Sequence, residues 1–301
     1  MKKILLLLIS TLIIFASPLN KINSIRKKAG AGTLAYNKIL SIAAKKHAIY
    51  LYKNNSFSHY EQKGFSGYYA STPWYRIAKA GYPTKAVSED ISFYENNFNE
   101  SIKKLMGTVY HRLSLLDLRF DTIGYAKYNN IYVYELSNSK LAKLCLKKFK
   151  KEQTDYLTNI CSSGDKYVSA YELNRATALV KKRSKLLVKY PYNNQTNVPL
   201  KLVEENPIFL SGNYGYAITA IFNDYYFRKI KLDSFILKDK NGIVDAEIIT
   251  SADDVNGKIM KGTYVLVPIR PLNRATTYNV LLKVTIDGKK RSFKWSFTTQ
   301  P

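Results

Sequence analysis

Residues 110–120 read YHRLSLLDLRF and run on to Ile123-Gly124-Tyr125-Ala126. Earlier in the chain, Phe57-Ser58-His59 closes a long helix-like run and is followed by the segment RIAKAGY at residues 76–82. Ser88-Glu89-Asp90-Ile91 lies between the two histidine segments. The chain has only 3 histidines, so the order His, Glu, His in recognisable surroundings is the most informative pattern that it contains.

Together these segments resemble the bacterial branch of the CAP superfamily (cysteine-rich secretory proteins, antigen 5 and pathogenesis-related proteins). The resemblance implies a CAP-type α-β-α sandwich over residues 22–137, with a central cleft that holds two histidines and two glutamates. His59 and His111 match the two histidines, and Glu89 matches the first glutamate. The family's Gly-Glu-Asn triplet is Ser88-Glu89-Asp90 here. The helix before His111 offers no acid at the place of the second glutamate, so the tetrad is incomplete.

Two neutral imidazoles beside a carboxylate suit a divalent metal, zinc above all, which makes His59 and His111 candidate metal ligands. Glu89 would orient a ring nitrogen or act as a base toward a bound water. In the alternative interpretation, the three side chains bond to one another and only hold the shape of the cleft. The sequence contains no nucleophile elbow, HExxH helix, phosphate-cradling loop or dinucleotide fingerprint, and no catalytic residue is assigned.

The N-terminus predicts an export signal over residues 1–16. Lys2 and Lys3 form its charged end, residues 4–15 are almost wholly apolar, and Ala16 is a small residue for cleavage. The apolar stretch is shorter than the roughly 20 residues of a membrane-spanning helix. We therefore expect an extracytoplasmic protein, secreted or periplasmic, with no transmembrane span after cleavage.

The formal charge of +25 is unevenly distributed. Residues 17–185 contain 29 Lys and Arg against 12 Asp and Glu, and residues 186–301 contain 16 against 10. Such a field favours anionic envelope components, lipid or glycan as partners. Export makes nucleic acid an unlikely physiological target. A generally basic proteome would give the same charge with no partner at all.

Residues 138–185 match the family poorly and predict a basic, partly helical extension. Cys145 and Cys161 are the only cysteines of the chain, and in an oxidising compartment they are expected to form a disulfide. The basic stretch from Lys140 to Lys151 is either a solvated helix face or a surface for an anionic membrane.

Helical spacing of apolar residues predicts one helix over residues 34–54 and another over residues 171–187. His47 falls on the apolar face of the first of these helices. It is therefore expected to be a packed core residue rather than a ligand.

From residue 186 the pattern changes to period two. Apolar residues alternate over residues 278–286 and again over residues 293–297, with the turn Asp287-Gly288 between them, which predicts a β-hairpin. Several short strands at this spacing predict an all-β sandwich over residues 186–301, and these pieces resemble bacterial Ig-like modules. Trp295 is expected to lie in its core. The predicted fold is thus α+β, a CAP-type sandwich followed by an Ig-like one.

These observations predict an exported, non-enzymatic binder of a small ligand, lipid or metal in the CAP cleft. Two alternatives stay open at this point. One is a metal-assisted hydrolase of envelope material that uses His59, Glu89 and His111. The other is an adhesin or structural spacer that acts through residues 186–301.

Overall fold

The computed structural model describes residues 17–147, 156–164 and 167–301. The predicted signal peptide at residues 1–16 lies outside the described residues, and so does the end of the basic stretch from residue 148 to residue 151. Among the described helices, none has both the length and the apolar character that crossing a membrane requires.

The N-terminal part of the protein, residues 17–137, combines helices with one four-stranded sheet in the order β1-β3-β4-β2. Its helices are α1 (Pro18–Ala29), α2 (Lys38–Asn54), α3 (Pro73–Lys79), α4 (Phe98–Gly107) and α5 (Tyr110–Leu115), and its strands are β1 (Ala35–Tyr36), β2 (Val87–Phe93), β3 (Thr122–Tyr128) and β4 (Ile131–Ser137).

Helices pack on both faces of this sheet. Successive side chains of β4 point to opposite faces, and each face is covered by its own apolar cluster with residues from helices. Ile131 and Val133 pack with residues of α2 on one face. Tyr132, Tyr134 and Leu136 pack on the other face, in the cluster that contains residues of α1, α4 and α5. Every residue of β4 is buried, which places the strand at the centre of the N-terminal part.

Helix α2 begins at Lys38, not at residue 34 as the periodicity predicts. The side chain of Asn37 accepts hydrogen bonds from the amides of Ile39 at 2.9 Å and Leu40 at 3.1 Å, and so caps the first turn. The preceding residues Ala35–Tyr36 pair in parallel with β3 instead. Pairing with a strand that lies far along the chain thus overrides the local apolar pattern.

The segment after the sheet contains α6 (Ser139–Cys145), β5 (Tyr156–Leu157), β6 (Val168–Ser169) and α7 (Ala170–Lys181). Cys145 and Cys161 form the expected disulfide. The helix predicted over residues 171–187 ends at Lys181. The amide of Lys185 donates to the carbonyl of Gly30 at 2.8 Å, and this contact draws the chain into the next strand.

The C-terminal part, residues 186–301, contains two sheets in the orders β11-β10-β14-β15-β8 and β12-β13-β9-β7. Apolar side chains of both sheets share one buried cluster. The strands are β7 (Leu187–Tyr190), β8 (Gln195–Val198), β9 (Ile218–Phe222), β10 (Ile230–Asp239), β11 (Gly242–Val244), β12 (Ala246–Ile249), β13 (Thr263–Pro268), β14 (Thr277–Ile286) and β15 (Lys289–Thr299).

The hairpin predicted around Asp287-Gly288 is present as the pair β14 and β15, with Ile286 opposite Lys289. Both turn residues have positive φ, 47° at Asp287 and 80° at Gly288, as a tight two-residue turn requires. Trp295 is buried, as expected. The assignment of these two sheets to the Ig-like class stays a prediction.

A buried arginine joins the two parts of the protein. Arg112 of α5 donates to the carbonyl of Met106 at 2.9 Å and to the carbonyl of Ala217 in the C-terminal part at 2.6 Å. Its guanidinium lies over the rings of Tyr190 and Tyr216, 5.0 and 4.6 Å from their centroids. Planar donors that also stack on aromatic faces make arginine well suited to such a contact.

Gly124 gives the first prediction, because β3 passes α2 too closely for a side chain at this position. A Cβ at Gly124 would overlap the backbone of Leu40 and Ser41. We expect Gly124→Ala to lower the free energy of unfolding by about 3 kcal/mol, since the overlap is with backbone that cannot move aside. Urea unfolding measures this change.

The matched control is Gly164→Ala, because a Cβ at Gly164 meets no atom of the described residues within 4 Å. Equal stability of the two variants would contradict the close packing of β3 on α2.

Candidate functional site

The first cleft histidine, His59, lies in the loop after α2 and is held by a glutamate of the sheet. Its Nδ1 donates to Oε1 of Glu89 at 2.8 Å. The side chain of Glu89, on β2, is 1% exposed, whereas that of His59 is 39% exposed. The carboxylate therefore fixes the ring with Nδ1 toward the sheet, which leaves Nε2 as the nitrogen available to a ligand.

Two buried cationic side chains surround the same carboxylate. Arg76 of α3 donates to Oε2 of Glu89 at 2.7 Å and to the carbonyl of His59 at 3.0 Å. Nε2 of His47 lies 3.7 Å from Oε1 of Glu89. Burial by itself would raise the pKa of Glu89. The charges of His47 and Arg76 and the hydrogen bond from His59 outweigh burial and hold the pKa of Glu89 well below its usual range.

His47 is fully buried, in keeping with its place on the apolar face of α2, but its surroundings are polar. Nδ1 donates to Glu61 at 2.9 Å and Nε2 donates to the carbonyl of Ser58 at 3.1 Å. Because both partners are acceptors, this is the hydrogen-bond geometry of a doubly protonated ring. His47 thus anchors the loop that carries His59.

A second buried carboxylate lies beside Glu89 and was not foreseen from the sequence. Glu135 of β4 is directly opposite Glu89 in the antiparallel pair of β2 and β4. It is fully buried, and among the described residues no amide, hydroxyl or cationic group donates to its oxygens, so its hydrogen-bond partner is the carboxylate of Glu89. Burial and the neighbouring negative charge of Glu89 raise the pKa of Glu135 well above its usual range.

The second cleft histidine, His111, opens onto the cleft from α5. Its Nδ1 lies 3.0 Å from the hydroxyl oxygen of Thr108 and 3.3 Å from Oε2 of Glu205. The Thr108 hydroxyl donates to the carbonyl of Leu105, so its oxygen accepts from the imidazole. Burial lowers the pKa of His111, but the hydrogen bond to Glu205 and the charge of Asp90 outweigh burial and leave that pKa raised.

Glu205 belongs to the C-terminal part, in the segment between β8 and β9, and its side chain is 1% exposed. Its carboxylate also accepts from the amide of Val109 at 2.7 Å and from the amide of Tyr110 at 2.9 Å, where α5 has no side-chain cap of its own. A carboxylate at His111 is therefore supplied from outside the N-terminal part. Glu100, the acid on α4, is exposed and bonds to Asn96 and Asn97 instead.

Sequence reasoning missed Glu205 because its partner Val109 lies 96 residues earlier in the chain. The only local signal is the acidic pair Glu204-Glu205 just before Asn206-Pro207 in a part of the chain that otherwise reads as strands. Nothing in that pattern indicates which surface the carboxylates face.

Asp90, the family asparagine replaced by an acid, is buried between the two histidines. The hydroxyl of Ser114 donates to its Oδ2 at 2.8 Å, and the hydroxyls of Ser88 and Ser114 lie 2.8 Å apart. Burial raises the pKa of Asp90 to about 6, although the charge of His111 and the hydrogen bond from Ser114 oppose the effect. Asp90 therefore changes charge in the mildly acidic range.

These side chains line a cavity of about 300 Å³ that lies between the two parts of the protein. The N-terminal part contributes His59, Glu89, Asp90 and His111, and the C-terminal part contributes residues that include Phe222, Lys258, Met260 and Thr263. The volume is at the lower end of the range for small-molecule sites. The three residues predicted from the sequence thus lie in the wall of one cavity.

A zinc ion at His59 and His111 stays a prediction. Within residues 17–147, 156–164 and 167–301, no three His, Cys, Asp or Glu side chains are grouped so that they could hold a metal ion. Zinc takes four ligands in most protein sites, so water or ligand atoms would have to complete the coordination. The residues present therefore do not fit a firmly held zinc ion.

The buried pair Glu89 and Glu135 gives a prediction about pH. Because the pKa of Glu135 is raised in the folded state, folding loses stability as pH rises from the unfolded pKa of about 4.5 toward the folded pKa. Glu135→Gln cannot ionise and avoids this loss. We expect the variant to gain stability relative to wild type by about 1.4 kcal/mol per pH unit above pH 4.5, until the folded pKa is reached.

Urea unfolding at pH 4 and pH 8 measures this gain, with the exposed Glu247→Gln as the matched control. A Glu135→Gln variant that is less stable than wild type at pH 8 would contradict the account of Glu135.

Glu205 gives the next prediction. Glu205→Ala removes the acceptor of the amides of Val109 and Tyr110, and unpartnered buried donors cost about 1–3 kcal/mol. We expect a loss of unfolding free energy of that size, a smaller loss for Glu205→Gln, and little change for the exposed neighbour Glu204→Ala. If Glu204→Ala and Glu205→Ala unfold at the same urea concentration, the contact between the two parts is not formed in solution.

Comparison with known protein families finds a match over the N-terminal part. Residues 19–135 match the family model described as CAP, Cysteine-rich secretory protein family. No curated protein matches the chain.

Similar solved structures include an extracellular protein containing a SCP domain from Bacillus anthracis str. Ames. It has 20% identity and a TM-score of 0.37, and the match covers 40% of this chain and 38% of that protein. An outer surface protein from Borrelia burgdorferi has 22% identity and a TM-score of 0.35, and the match covers 39% of this chain and 86% of that protein. On the family match, residues 19–135 of this chain are a CAP domain.

Proposed function

We propose that the protein is an exported binding protein that holds a small polar ligand in the cavity between its CAP domain and its C-terminal part. The observation that carries the proposal is the cavity of about 300 Å³ into whose wall both parts bring side chains. Sites of this kind form preferentially between two parts of a chain, with a few fixed polar groups that orient the ligand.

The polar groups of this cavity are held in place before any ligand arrives. Glu89 holds Nδ1 of His59, and Glu205 with Thr108 holds Nδ1 of His111, so that each ring keeps Nε2 for the ligand. Rings that are fixed by buried carboxylates lose little conformational freedom on binding, which favours affinity. The ring orientations that present Nε2 to a ligand are therefore preset at both histidines.

The electrostatics of Glu89 argue against its use as a general base. A general base works best when its pKa lies near the operating pH. The cationic groups of His47 and Arg76 hold the pKa of Glu89 far below that range, so this carboxylate is a poor proton acceptor. Its role in the proposal is to position His59, not to activate water.

In this proposal the C-terminal part forms one wall of the cavity. It does not act as an independent adhesin or spacer. Glu205 reaches His111, and the Tyr110 hydroxyl donates to Asp254 at 2.5 Å and accepts from the Asn256 side chain at 2.9 Å. An Ig-like arrangement of the two sheets is part of the same proposal.

Export is supported by the disulfide between Cys145 and Cys161, since such bonds persist in oxidising compartments. The two similar solved structures are described as an extracellular and an outer surface protein, and the same location is proposed here.

Met260→Trp tests the proposal, because Met260 is an exposed residue in the wall of the cavity. The indole ring of tryptophan is larger than the methionine side chain and would narrow the cavity. Calorimetry with three probes, N-acetylglucosamine, D-alanyl-D-alanine and glycerol 3-phosphate, covers a glycan, a peptide and a lipid headgroup. We expect at least one probe to bind wild type and to bind Met260→Trp about tenfold more weakly, as loss of one good contact would give.

The matched control is Ile243→Trp, an exposed residue of β11 that does not line the cavity. Binding that survives Met260→Trp unchanged, or no binding of any probe to wild type, would overturn the proposal. Zinc titration of wild type and of the double variant His59→Ala/His111→Ala tests the metal alternative. Tight zinc binding to wild type that is lost in the double variant would show that the cavity is a metal site and not a site for a small polar ligand.

A further inference from the structure

A second cavity, of about 750 Å³, opens on the C-terminal part next to the first. The two cavities share Asp224, Lys261 and Thr263 in their walls. The second cavity is lined on one side by residues 227–231, which lead into β10, and on the other by Thr250 and Ser251. The second cavity therefore lies beside the first, and we call it the groove.

Four cationic side chains line this second cavity: Arg228, Lys229, Lys231 and Lys261. All four are exposed. Across the ranges that the structure describes, no ion pair joins any of them to a carboxylate, whereas other cations such as Lys104, Arg119 and Lys181 have acidic partners.

The two carboxylates in the same wall are already occupied. Asp287 accepts from the backbone amides of Arg228 at 3.0 Å and Lys229 at 2.8 Å, which fixes the loop and leaves the two cationic side chains unpaired. Asp224 pairs with Lys181 at 2.7 and 3.0 Å. Asp287 offsets part of the positive charge, but four cations against this one carboxylate without a cationic partner leave the groove net positive, and a concave surface strengthens such a field.

The charge of the groove suits phosphate groups as its ligands. Three of the four cations are lysines, which bind phosphate as point charges without a fixed planar geometry. Four unpaired cations in one open groove also match a ligand with a charge on every repeat. We propose that the second cavity binds a linear polymer that carries phosphate groups. This site goes beyond the small-ligand function proposed above and does not depend on it.

The test compares two triple charge reversals that change the net charge equally. Arg228→Glu/Lys229→Glu/Lys231→Glu reverses three of the four cations of the groove. Lys201→Glu/Lys238→Glu/Lys240→Glu changes exposed lysines that line neither cavity. Calorimetry with linear inorganic polyphosphate at two salt concentrations measures binding to wild type and to both variants.

We expect the groove variant to bind polyphosphate at least about tenfold more weakly than the control variant, because like charges replace attraction at close range. Wild-type binding should weaken as salt rises. The neutral variant Arg228→Gln/Lys229→Gln/Lys231→Gln should lie between the two, and urea unfolding confirms that each protein is folded. This neutral variant should bind the first-cavity probe as wild type does, because its three positions do not line the first cavity, and that separates the two sites.

Equal losses in the two charge-reversal variants would overturn the proposal, since net charge alone would then explain binding. Poly-L-glutamate of equal length is the second probe. Binding of polyglutamate as tight as that of polyphosphate, with the same dependence on the groove variant, would also overturn the proposal by showing that the site does not select phosphate.

Discussion

The buried carboxylate of Glu205 is the contact on which the site depends. It comes from the C-terminal part, satisfies two amides at the start of α5 and holds the ring of His111. A buried carboxylate without such partners would be costly by several kcal/mol, so the chain can bury Glu205 only in this arrangement. The position of His111 in the cleft and the seating of the C-terminal part are therefore set by one and the same group.

The site has two halves with opposite electrostatics. Around His59, the cations His47 and Arg76 offset the negative charge of Glu89, so that the charged groups of this half are paired with one another. Next to it, Glu135 is buried with no cationic or amide donor among the described residues, and it destabilises the fold once it ionises beside Glu89. Clusters of perturbed carboxylates beside a cavity are more typical of functional sites than of structural cores. The protein thus keeps an unfavourable group where a purely structural sheet would have an apolar one.

The sequence allowed good predictions wherever the signal was local. His59, Glu89 and His111 each stand in a recognisable segment, and all three lie in the wall of one cavity. The turn at Asp287-Gly288 follows from two residues that tolerate positive φ. Glu205 could not be predicted in the same way, because its partners are distant in the chain. Nor could Glu135 be placed, since the register of β2 on β4 that sets it opposite Glu89 is a property of the assembled sheet.

The errors at helix ends have a similar origin, since contacts with distant segments override the local pattern, through β-pairing before α2 and through the hydrogen bond from Lys185 to Gly30 after α7. Underlying all of this is a single apolar cluster that includes Ile22, Leu115 and Tyr134 of the CAP domain together with Val188 and Tyr278 of the C-terminal part. Parts that share one interior stabilise each other. Cutting the chain between the CAP domain and the C-terminal part would expose that interior to water, so each fragment alone is expected to be less stable than it is in the whole protein.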